Sequence, residues 1–265
     1  MTIKKILNIV IFLLICSCSH SKDEVWRRIS VDFKNQGFTQ RIYQKEGFNI
    51  FTLEKISNKE KPLRIYIEGD GFAYATKSRP SVDPTPRSNF LLDLILLDDS
   101  ENLLYIARPC QYIDSDKCEE KYWTQERFSS EIIQAISMVV DYYKDYQIEL
   151  VGYSGGAFVA MQLKQKNIKN LRTMAGNLDL EAFVNFHKIS VINAINLDYQ
   201  RLANLPQIHF IGAEDEIIPL EIIFSYQKRL RNKNCINFKI IDEASHYKGW
   251  NVSWKDLLNL EVKCL

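Results

Sequence analysis

Apolar positions along this chain fall into two rhythms. Short, nearly continuous apolar runs at 63–67, 102–107, 148–151, 171–175, 207–211 and 236–241 have the length and composition of strands. Two further stretches, 38–44 and 49–55, alternate enough to form an antiparallel pair turning at Glu46-Gly47. Between the runs lie segments with helical spacing: 90–97, 155–166, 219–231, 252–262 and the longest, 125–146. In the last of these Phe128, Ile132, Ile133, Ile136 and Val139 or Val140 share one face. Residues 79–89 contain three prolines and read as an extended or mobile loop, and 185–204 show no usable period. From residue 63 onward strand and helix alternate. That alternation predicts an α/β fold, a mostly parallel sheet of about eight strands with helices on both faces and right-handed crossovers.

The start of the chain follows a different pattern. Lys4-Lys5, the apolar run 6–15 and the small and polar residues after it have the layout of an export leader. About ten apolar residues fall short of the roughly 20 that span a bilayer. Ile15-Cys16-Ser17-Cys18 resembles a bacterial lipobox, with cleavage before a lipid-modified Cys18; Cys16 is unusual inside that pattern and leaves the cysteine open. Residues 1–17 therefore read as a lipoprotein signal peptide and 18–37 as a polar tether with Trp26 and Phe33 as anchors. Residues 38–265 read as one domain. This predicts a lipid anchor on the periplasmic side of a bacterial membrane, in the cell envelope.

Composition narrows the function. The 265 residues are 46% apolar, and 34 Lys and Arg balance 33 Asp and Glu, so no field recruits nucleic acid. Of six cysteines, Cys16 and Cys18 belong to the export signal. In an oxidising compartment the nearest pairing of the rest is Cys110–Cys118 and Cys235–Cys264, one of three connectivities. No spacing resembles a zinc site, and the chemistry below needs neither metal nor cofactor.

The chain is organised around 148–160, where an apolar strand meets a helix at Gly152-Tyr153-Ser154-Gly155-Gly156. This G-x-S-x-G pattern sits in the strand–turn–helix setting that it requires. Glycines let strand and helix pass closely, and the serine Oγ stands clear of the sheet edge. A serine that only caps the helix is the plainer alternative. Other candidates also fall at strand ends, where open α/β sheets build their sites: the Glu68-Gly69-Asp70-Gly71-Phe72 loop, Asp215 and His246. Of four histidines, His20 lies in the tether, His209 mid-strand and His187 in the unassigned region; only His246 follows the last strand.

Serine, then acid, then histidine is the chain order of the α/β-hydrolase superfamily, which residues 38–265 resemble. Within it, residues 67–72, 107–112 (Ala-Arg-Pro-Cys-Gln-Tyr), 152–156 and 175–179 (Ala-Gly-Asn-Leu-Asp) look like a group of uncharacterised bacterial lipoprotein hydrolases. The resemblance implies the α/β-hydrolase fold and a serine hydrolase with Ser154 as nucleophile, His246 as base and Asp215 as orienting acid. The match implies no substrate; a small-molecule acyl ester is the default for such a triad, with thioester and amide left open, and Asp179 is the rival acid. It implies an oxyanion hole from the Gly155 amide and that of Asp70 or Gly71. Two carboxylates in that loop would oppose an oxyanion, so Arg108, closing the neighbouring strand, is expected to pair with Glu68 or Asp70. A non-catalytic envelope protein using the fold as a binding module is the alternative.

Overall fold

The computed structural model describes residues 25–190 and 192–265; the leader, Cys16 and Cys18 lie outside the described residues. Eight strands appear among them: β1 Thr39–Lys45, β2 Phe48–Ile56, β3 Leu63–Ile67, β4 Asn102–Ile106, β5 Ile148–Tyr153, β6 Ile168–Met174, β7 Gln207–Gly212 and β8 Ile236–Ile241. They form one sheet in the order β1-β2-β4-β3-β5-β6-β7-β8. β2 is antiparallel to both its neighbours, and every pairing from β4 to β8 is parallel. The helices are α1, a π-helical Arg28–Phe33 inside a helical stretch 25–35, then α2 Phe90–Leu96, α3 Ser130–Val140, α4 Gly155–Gln162, α5 Leu180–His187, α6 Tyr199–Leu202, α7 Leu220–Arg229 and α8 Trp254–Leu258.

Alternation along the strands divides the core in two. Leu63, Ile65 and Ile67 of β3, Leu104 and Ile106 of β4, and Ile148 and Leu150 of β5 face α3, α4 and α7. Their neighbours Tyr66, Leu103, Tyr105, Val151 and Tyr153 face α1, α2 and α8. Burial on both faces is why these strands read as unbroken apolar runs.

Four readings change. Residues 25–36 are not a free tether: Val25, Ile29 and Phe33, spaced by four, are buried in the second core, and Trp26 meets Phe51 and Tyr112 edge-on. The 79–89 loop is packed, with Ser81, Pro84, Thr85 and Pro86 buried and the Pro84 carbonyl accepting from Phe72 N–H at 2.9 Å. The long helix starts at Ser130 because Ser129 is extended (ψ 163°), leaving 124–127 as turns and Phe128 in an isolated bridge to Ala194. The last helix shrinks from 252–262 to Trp254–Leu258, which buries Trp254, Leu257 and Leu258. α5 begins just after Asp179 and reaches only its last residues into the unassigned 185–204, where Lys188 at φ 53° ends it; the short α6 lies wholly within that stretch.

Candidate active site

β5 delivers Ser154 to a turn that α4 leaves at once. Ser154 has φ 51° and ψ −123°, a conformation that costs a non-glycine residue on the order of 1–3 kcal/mol and persists only where surroundings impose it. Here three backbone bonds impose it: Ser154 N–H donates to Met174 O at 3.1 Å, and Ser154 O accepts from Ala157 and Asn177 at 3.1 and 3.0 Å. The approach at Gly156 is equally tight, since a Cβ there would lie 2.2 Å from the Ile67 carbonyl oxygen. Ser154 is half-buried, and it does not serve as a side-chain cap for α4.

The structure brings Ser154, His246 and Asp215 into one hydrogen-bonded chain. Ser154 Oγ lies 3.0 Å from His246 Nε2, and His246 Nδ1 lies 2.9 and 3.2 Å from the Asp215 carboxylate oxygens. The carboxylate can only accept, so Nδ1 carries the proton and Nε2 is left to accept from the serine hydroxyl. Asp215 is fixed in turn by the Ile217 and Ile218 N–H groups, at 2.9 and 2.8 Å. The imidazole is nearly buried, Tyr247 stands edge-on to it at 4.7 Å, and the Tyr153 hydroxyl donates to the His246 carbonyl at 3.2 Å.

Asp179 is placed elsewhere. It caps α5 by accepting from Glu181 and Ala182 N–H, and its other oxygen takes Ser225 Oγ at 2.8 Å and Arg229 Nε at 2.7 Å. It ties α5 to α7 rather than contacting His246.

The acidic loop after β3 lies against the serine. A Cβ built on Gly69 would fall 3.1 Å from Ser154 Cβ, and one on Gly155 would fall 2.1 Å from Asp70 Oδ1. Asp70 is therefore not turned away from the site; it is neutralised. Arg108 Nη1 meets its Oδ1 at 3.1 Å and Arg127 Nε its Oδ2 at 2.8 Å, with both guanidinium groups over the Phe128 ring. Burial pushes the Arg108 guanidinium down to about 10, offset in part by Asp70, so it is charged at neutral pH. Glu68 is fully buried and has a different environment: its carboxyl accepts from Tyr105 Oη at 2.8 Å and Gly69 N–H at 2.9 Å. Burial raises it to about 7, against the pull of those two bonds and of Arg108. Among the described residues no protein acceptor takes the Gly155, Asp70 or Gly71 amide.

Arg108 thus pairs with Asp70 rather than Glu68. The second clamp, Arg127, and the buried Gln111, which donates to Gly69 O at 3.1 Å, were given no role by sequence. No local signal marks Arg127. Gln111 lies in the 107–112 motif but carries no chemistry until the fold seats it. Arg79 and Arg87 stay off the carboxylate, with Arg87 over the Phe72 ring. The cysteines pair as Cys110–Cys118 and Cys235–Cys264.

No protein-family model matches the sequence, and no curated protein is recognisably similar to it. Solved structures do share its architecture. An α/β serine hydrolase homologue from Coxiella burnetii superposes with a TM-score of 0.57 at 13% identity, covering 83% of this chain and 95% of that one. Est1E from Butyrivibrio proteoclasticus gives 0.54 at 16% identity, over 83% and 97%. A membrane phospholipase A described as a bacterial virulence factor gives 0.56 at 14%, over 92% and 93%. At these identities the likeness is one of fold: the chain has the α/β-hydrolase fold.

Proposed function

We propose that this protein is a serine hydrolase that cleaves an acyl ester, or a related thioester or amide, through an acyl-enzyme. The observation that carries the reading is the hydrogen-bonded chain from Ser154 through His246 to Asp215, with the serine held at positive φ beside unengaged amides. Ser154 Oγ attacks the carbonyl carbon as His246 Nε2 takes the hydroxyl proton, and Asp215 stabilises the imidazolium that forms. The carbonyl oxygen becomes an oxyanion beside the Gly155 amide at the α4 N-terminus and an amide of the 69–71 loop. Collapse of the intermediate expels the alkoxide, which receives the proton from His246. Water, deprotonated by the same imidazole, then cleaves the Ser154 acyl ester and regenerates the hydroxyl. The neighbours named as a serine hydrolase homologue and a phospholipase A support acyl chemistry.

The leader pattern and the two paired disulfides support export into an oxidising compartment, with lipid attachment at Cys18 and retention in the cell envelope. Fluorophosphonate labelling tests the catalytic reading: wild type should form a covalent adduct at Ser154, and Ser154→Ala should not. A folded wild-type protein that takes no label would be a binding module instead.

A further inference from the structure

We propose that Gln111, seated by the Cys110–Cys118 disulfide, is a positioning residue that aims the Asp70 amide as the second oxyanion donor. The inference rests on the serine hydrolase reading above and selects Asp70 over Gly71.

The argument starts from the peptide plane. In a trans peptide the carbonyl of one residue and the N–H of the next point in opposite directions, and no cis peptide occurs among the described residues. Whatever holds Gly69 C=O therefore also aims Asp70 N–H. Gln111 Nε2 donates to Gly69 O at 3.1 Å, so the Asp70 N–H points away from Gln111. Gly69 packs on Ser154 and the Asp70 side chain on Gly155, so the serine and the start of α4 border the peptide whose N–H is turned from Gln111.

The Gln111 carboxamide has no freedom to turn. Its Oε1 accepts from Arg108 N–H at 3.0 Å, the side chain is buried, and the loop closes over it. A Cβ on Gly71 would fall 2.5 Å from Nε2. Arg108 and Arg127 grip the far end of Asp70 by its carboxylate. The residue is thus held at both its backbone and its side chain.

The turn that presents Gln111 does not favour its own shape. Both flanking residues, Cys110 at φ 69° and Tyr112 at φ 65°, occupy the left-handed region without being glycine. Tertiary ties must therefore impose the conformation. On one side Cys110 is bonded to Cys118. On the other, Tyr112 N–H donates to Thr85 Oγ1 at 2.8 Å and its ring stacks on Phe51 at 4.7 Å. Opening the disulfide releases one of these two sides, lets the backbone relax and withdraws the amide donor from Gly69.

The test uses the full-length protein with p-nitrophenyl acetate as probe and fluorophosphonate labelling as the measure of an intact Ser154. Gln111→Ala and Gln111→Glu should each lower kcat by about 10- to 100-fold at unchanged KM, the split expected when only the transition state loses a contact. Gln111→Glu keeps the size but removes the donor, so its activity would separate filling from aiming. Cys110→Ser/Cys118→Ser should lose kcat in the same way, whereas Cys235→Ser/Cys264→Ser, remote from the turn, should keep it. A folded Gln111→Ala protein with wild-type kcat overturns the proposal, as does a Gln111→Glu protein as active as wild type. Equal losses from both disulfide variants overturn the part assigned to Cys110–Cys118. If the Cys110→Ser/Cys118→Ser protein does not fold, the two Gln111 variants decide. A wild-type protein that neither turns over nor labels defeats the hydrolase reading and this inference with it; a labelled wild type indifferent to Gln111 defeats the inference alone.

Discussion

In the proposed reaction Ser154 and His246 exchange a proton in the attack itself, so either substitution to alanine removes the reacting pair as a unit. Each should lower kcat by up to ~10⁶ with the fold intact. Asp215→Asn should cost about 10⁴, because the amide favours the wrong imidazole tautomer. Asp179→Asn should show its loss in Tm and leave kcat near wild type, since its carboxylate ties α5 to α7; a larger kcat loss than that of Asp215→Asn would reverse the assignment of the acid. The arginine pair calls for a different experiment. A carboxylate about 4 Å from the oxyanion would oppose it by roughly 4 kcal/mol at an effective dielectric near 20, and two guanidinium groups share its neutralisation. Arg108→Ala alone should therefore be mild in kcat/KM. Arg108→Ala/Arg127→Ala should be severe, at least tenfold worse, and adding Asp70→Asn should recover part of that loss. Equal kcat/KM in the single and double variants would show that Arg127 does not matter to the reaction. At this scale the sequence singled out Ser154, Asp215 and His246 because each follows the end of a strand, in an order with chemical meaning, and the structure brings the three within hydrogen-bonding distance. Arg127 stayed hidden: it is 57 positions from Asp70 in a stretch patterned like helix, and only tertiary folding joins the two.

Elements were legible where burial left a continuous signature. β3 to β7 are apolar runs because helices cover both their faces, β8 lies at the sheet edge with Lys239 and Ile240 exposed, and each of the six was read within a few residues of its observed bounds. Helix starts were less visible. The apolar stripe from Phe128 to Val140 continues through Ser129, although the extended backbone there begins α3 one residue later. α1 was missed for the opposite reason. Its polar composition suggested a tether, yet Val25, Ile29 and Phe33 form a narrow stripe with helical spacing. That stripe packs into the core shared by β2, α2 and α8, so α1 should unfold together with the domain. Phe33 is fully buried, and Phe33→Ala should remove about 3–5 kcal/mol of stability through lost burial and a residual cavity. Urea denaturation checks this. A loss under about 1 kcal/mol would mean that α1 is not part of the cooperative unit.

Across the whole molecule, stability against pH is set by buried groups in three places. At the lower part of the sheet, Arg64 meets Asp98 at 2.9 Å and Glu149 at 2.8 Å, and Arg172 approaches Glu149. Burial pushes both carboxyls up, but Arg64 and their hydrogen bonds pull Asp98 below the ordinary carboxylate range, and Arg64 with Arg172 does the same for Glu149. A depressed acid contributes stability above its unfolded pKa that is lost as pH falls through the folded one. This network therefore weakens the protein below about pH 4. His209, whose nitrogens meet Thr173 Oγ1 at 2.8 Å and Gln207 Oε1 at 3.1 Å, is held neutral, its pKa lowered by burial from 6.5 to about 3. Between those values the unfolded chain binds a proton that the folded one excludes, so stability rises with pH. Glu68 acts in the other direction, because burial lifts it from 4.5 to about 7. Between those values the folded chain holds a proton that the unfolded one has released, so stability falls with pH. The slopes are equal and opposite, about 1.4 kcal/mol per pH unit each, and they overlap from about pH 4.5 to 6.5. Wild type should be nearly flat across that window. Glu68→Gln should instead gain stability with rising pH there, and His209→Gln should lose it. Urea denaturation series at half-unit pH intervals measure the slopes. If Glu68→Gln keeps the flat wild-type profile, Glu68 does not hold its proton in the folded protein, and the carboxyl beneath the 69–71 loop is an anion after all.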